Sequence, residues 1–166
     1  MNKFLLSNFL LLLFISCNVD SEECCDNQIT EEVFQDLGYD KPYIYNNIYF
    51  GRNNYIEFHP GSLPIIISAP HGGNLMPSEI PDRTYGTMVT DSNTKELTLA
   101  IKNAFLSKLG ETPYVIINNL KRTKFDANRD SIEGAQGNIY ARRAWEEFHY
   151  YINESKKMIQ QDFNLS

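Results

Sequence analysis

The sequence predicts an α/β fold, a three-layer sandwich around a mostly parallel or mixed sheet. Two apolar runs, LPIIIS (63–68) and TPYVIINNL (112–120), lack the polar alternation of a half-exposed strand. Each is followed by a segment with helical spacing of apolar residues, at 91–110 and 139–161. The order strand, helix, strand, helix implies a right-handed parallel crossover. A chain of 166 residues, 42% of them apolar, can bury one real core.

The first residues stand apart from that domain. Residues 1–16 carry one lysine and a leucine-rich run too short for a comfortable membrane span, the pattern of a secretion signal. Its end, Phe14-Ile15-Ser16-Cys17, resembles a bacterial lipobox, which implies that Cys17 becomes the lipid-bearing first residue. The protein is then exported across the inner membrane and anchored in a bacterial membrane as a periplasmic or cell-surface lipoprotein. Residues 17–29 are acidic and poor in apolar side chains, so they read as a flexible tether. Cys17, Cys24 and Cys25, the three cysteines, all lie at the end of the signal or in the tether, leaving the domain at 30–166 without a thiolate for zinc or for nucleophilic attack. The net charge of −6, with no basic stripe, argues against a nucleic-acid partner.

Within the domain, TEEVFQDLG (30–38) predicts a short helix with a Thr30 cap and a Gly38 stop. NNIYFGRNNYIEFHPG (46–61) predicts a hairpin turning at Gly51-Arg52-Asn53-Asn54. LPIIIS reads as a strand covered on both faces. The helix from Asp91 presents Leu97, Ile101, Ala104 or Phe105, and Leu109, with Ser92 or Asn93 as cap and Gly110 as stop. The last helix presents Trp145, Phe148, Ile152 and Ile159.

Ligands of such sheets collect beyond the carboxyl ends of the strands, where two loops meet. The first, SAPHGGNLMP, sets His71 between a proline and two glycines, a backbone that a metal or substrate can approach closely. The second, LKRTKFDANRD, concentrates Lys121, Arg122, Lys124 and Arg129, donors suited to a carboxylate or phosphate, with Asp126 placed to orient one arginine. A solvated charge run would have the same composition.

SAPHGG, MPSEIPDR, TDSNTKEL and RTKFDANRD, in this order between Ser68 and Arg129, resemble the N-formylglutamate amidohydrolase family, zinc enzymes related in fold to the zinc carboxypeptidases and aspartoacylases. A weaker likeness runs through Trp145 and His149. The resemblance implies zinc as cofactor, His71 as its first ligand, and Asp91 as a ligand or as a residue orienting one; read from the residues alone, Asp91 serves equally as the acidic cap of the next helix. It further implies Asn128 and Arg129 as the grip on a substrate carboxylate and Arg122 as the catalytic group polarising the scissile carbonyl. The substrate would be an amide of an N-acylated amino acid or peptide with a free carboxylate.

Two departures bear on this. Carboxypeptidase-like H-x-x-E wants glutamate where Asn74 stands, so Asp91 or Glu79 must serve as second ligand. The family also continues into a further strand with another metal histidine, so the chain is expected to hold the N-terminal part of the fold, truncated at its C-terminus. Of the other histidines, His59 reads as structural, and His149 as a packing residue or a site residue. The alternative function is a catalytically inactive surface lipoprotein that retains a carboxylate-binding loop.

Overall fold

In a computed structural model, residues 36–164 are described. The expected signal, Cys17, the tether and most of the expected helix at 30–38 lie outside the described residues; its last residue, Gly38, is in a turn at φ +84°.

The predicted hairpin forms from β1 (Tyr49–Phe50) and β2 (Ile56–His59), paired antiparallel with Tyr49 opposite Phe58. Its turn is tight because Asn53 and Asn54 adopt φ of 55° and 58°, a left-handed conformation that asparagine tolerates better than most residues. β3 (Ile66–Ala69) leads into α1 (Thr94–Leu109) and then β4 (Tyr114–Asn118), and β3 and β4 are parallel. The sheet order is β1-β2-β4-β3, with β2 antiparallel to β4, so the fold is α/β with a mixed four-stranded sheet. It ends in α2 (Ser131–Ala135) and α3 (Ile139–Asp162).

β4 is the strand buried on both faces. Val115 and Ile117 pack with Ala69, Ile67 and Leu99 of α1, while Tyr114 and Ile116 join Phe58, Phe148, Tyr151 and Ile159 in the larger core. There the Phe58 and Tyr151 rings stack at 4.7 Å.

Three expectations are corrected. β3 is an outer strand, half-buried with Ser68 exposed, and not covered on both faces. On α1 the expected apolar face is only partly covered: Ile101 and Phe105 are half-buried, but Leu97 is 59% and Leu109 60% exposed, and Thr98 is the buried residue. The side of α1 that meets the sheet carries Leu99 together with Lys95 and Lys102, whose ammonium groups reach Glu57 and His59. Of the two expected caps, Asn93 holds the N-cap position, at φ 64° and without a side-chain bond to the first turn, while Thr94 Oγ1 donates to the Asp91 carbonyl; the Gly110 stop is present at φ 74°. On α3 the inner face runs through Ala144, Phe148, Tyr151, Ser155 and Ile159, with Trp145 and Ile152 on its flank. α2, which the charged loop concealed, is capped by Asp130 accepting from the Ile132 and Glu133 amides.

Candidate functional site

β3 and β4 stay in register up to Ala69 opposite Ile117 and meet again at Leu75 opposite Leu120. The first strand spends six residues where the second spends three, and the surplus arches out as the His71-Gly72-Gly73 loop. Glycine is required at both positions by close approach. A Cβ on Gly73 would overlap the Asn119 backbone, and one on Gly72 would lie 2.5 Å from the Lys95 amide nitrogen.

The arch turns the His71 imidazole inward, 4% exposed, with both ring nitrogens against carboxylates. Nε2 lies 2.7 Å from Asp126 Oδ1 and Nδ1 lies 3.1 Å from Asp91 Oδ2. Asp126 is fully buried and also accepts from Arg122 Nε at 3.0 Å and from the Asn128 amide at 3.0 Å. Burial by itself would raise its pKa, but the bonds from His71, Arg122 and Asn128 hold it well below the usual carboxylate range. Arg122 Nη1 donates to the Val89 carbonyl at 3.2 Å and stands 3.6 Å from Asp91 Oδ1. One buried guanidinium therefore ties together the two carboxylates that flank His71.

Sequence reasoning missed Arg83. Its buried guanidinium lies 3.7 Å from Asp126 and donates to the carbonyls of Thr87, Arg122 and Glu133, joining its own loop to the loop after β4 and to α2. A polar residue in a proline-bounded loop carries no periodic signal; only its membership in MPSEIPDR pointed to it.

Of the predicted residues, the structure brings together His71, Asp91 and Arg122, with Asp126 orienting an arginine as expected. Asn128 and Arg129 are exposed, and the Arg129 guanidinium lies 3.4 Å from Glu133 instead of joining the His71 cluster. Glu79 bonds to the Tyr55 hydroxyl, not to His71. His59 is buried between Glu57 and Lys102, each at 2.6 Å, a structural role. His149 packs on Trp145 with ring centroids 4.1 Å apart, and burial lowers its pKa.

The spacing of His71 Nδ1 and Asp91 Oδ2 suits either a hydrogen bond or two ligands of one tetrahedral metal, for which about 3.3 Å is expected. A carboxylate on the other ring nitrogen is the usual support of a metal-binding histidine. Yet among the described residues no group of three His, Cys, Asp or Glu side chains could hold a metal. A catalytic zinc needs three protein ligands. The described residues supply two and do not complete such a site.

No family model, no curated protein and no solved structure matches this chain.

Proposed function

We propose that the protein is a hydrolase of the N-formylglutamate amidohydrolase kind, on a three-layer zinc-carboxypeptidase-like scaffold, that acts on amides bearing a free carboxylate. In this reading zinc is held by His71 and Asp91 with a further ligand beyond the described residues, and Cys17 carries a lipid that keeps the protein at a bacterial envelope membrane. The observation that supports it is His71 fixed by buried Asp126 on one nitrogen while the other faces half-exposed Asp91. Zinc on Nδ1 would require the neutral imidazole with its proton on Nε2, the nitrogen that faces Asp126. Bonds from His71, Arg122 and the Asn128 amide keep Asp126 ionised against its burial, with Arg83 3.7 Å away. Arg122, the proposed carbonyl-polarising group, is already committed to Asp126, so it would act from a fixed position.

A second reading, a carboxylate-binding surface lipoprotein without catalysis, is favoured by the two-donor set and by the exposure of Arg129. Zinc titration of the purified full chain with elemental analysis separates the two. The hydrolase reading expects stoichiometric zinc that is lost in His71→Ala and weakened in Asp91→Asn, together with turnover of N-formyl or N-acyl amino acids. Asp91 is 49% exposed, so Asp91→Asn should cost no more than about 0.5 kcal/mol in stability. Absence of zinc and of turnover in the unaltered chain would leave the second reading.

A further inference from the structure

Beside the glycine pair, on the α1 side of the sheet, opens a cavity of 470 Å³ that the proposed hydrolysis does not use. That volume lies in the range of small-molecule sites. Lys95 reaches its floor, 29% exposed, and is held from two sides: Nζ lies 3.1 Å from Glu57 Oε2 and 2.6 Å from Asn119 Oδ1. Asn119 is itself fixed by donating to the Asn54 carbonyl at 3.0 Å. An ammonium has three N–H donors, so one is left for a ligand. Glu57 does not compete for it as a free anion, since its other oxygen is taken by His59 at 2.6 Å. The rim carries the exposed carboxylate of Glu96 and two large apolar side chains, Phe50 and Leu75, that are 40% and 44% exposed. The cavity thus presents a positioned cation, an acid available to solvent, and apolar surface between amide groups.

We propose that this cavity binds a zwitterionic amino acid, its carboxylate on Lys95, its ammonium on Glu96 and an apolar side chain against Phe50 and Leu75. A free amino acid is what an amidohydrolase releases, but the inference needs no hydrolysis and is read by binding. The test is calorimetric titration of the full chain with L-leucine and with 4-methylpentanoate, which keeps the carboxylate and the branched side chain, lacks the ammonium and has no amide to hydrolyse. Leucine should bind saturably, and the deaminated probe at least about tenfold more weakly, as expected for loss of a charged hydrogen bond. Glu96→Gln, at an exposed position, should bring the two probes to similar affinity. The pair Glu57→Gln with Lys95→Met, which removes the cation together with its carboxylate partner, should abolish leucine binding with an unchanged circular dichroism spectrum. Absence of saturable leucine binding, equal or tighter binding of the deaminated probe, or a Glu96→Gln protein with unaltered discrimination would overturn the proposal. The hydrolase reading stands or falls separately, on zinc and turnover.

Discussion

Asp126 sets the chemistry of the site through the donors it accepts: His71, Arg122 and the Asn128 amide, with Arg83 nearby. Removing a carboxylate from such a buried cluster leaves several buried donors short of an acceptor. Asp126→Ala is therefore expected to cost about 3–5 kcal/mol in urea unfolding, and Asp126→Asn clearly less because it keeps one acceptor. Glu57 is a second ionised carboxylate within the fold. Its hydrogen bond from His59 and its contact with Lys95 lower its pKa to about 2 against the opposing effect of burial. A depressed pKa means that the unfolded chain binds the proton first, so this stabilisation is complete above about pH 4.5 and is lost as pH falls toward the folded value. Glu57→Gln should flatten the dependence of unfolding free energy on pH between about 4.5 and 2 relative to the unaltered protein. His71, Asp91 and Arg122 were legible in sequence because each stands in a short loop motif. Arg83 was not, since the carbonyls it joins come from segments up to 50 residues away.

At the scale of elements, the His71 arch depends on how closely its glycines are wedged. Gly73→Ala should cost about 1–3 kcal/mol, because the overlap is with backbone that cannot swing aside; the melting temperature checks it. Asn138 caps α3 by accepting from the Ala141 amide at 3.0 Å, so Asn138→Ala should cost about 1 kcal/mol. Helical spacing located α1 and α3 well but not the faces they bury. Spacing counts apolar residues, whereas α1 also sets two lysines against Glu57 and His59, and α3 seats Glu147 against Arg52. Neither pairing is visible before the strands are assembled.

For the whole molecule, β3 is the consequential strand. Its outer side pairs with no strand among the described residues, and Pro64 to Ala69 contains no charged residue to guard it. Exposed Leu97 and Leu109 on α1 add apolar surface. Such an edge promotes association, so Ser68→Lys should lower the concentration-dependent light scattering of the protein while leaving its melting temperature within a few degrees.

What the sequence by itself determined is the α/β order of elements, the parallel pairing of the two apolar strands and the loop that carries His71, because these follow from local periodicity and from turn residues. Only the tertiary structure decided which strand lies at the edge, which side of α1 is buried, and that His71 is clasped by two carboxylates under two arginines. Those features depend on contacts between residues tens of positions apart, where shape and charge pairing outweigh any local preference.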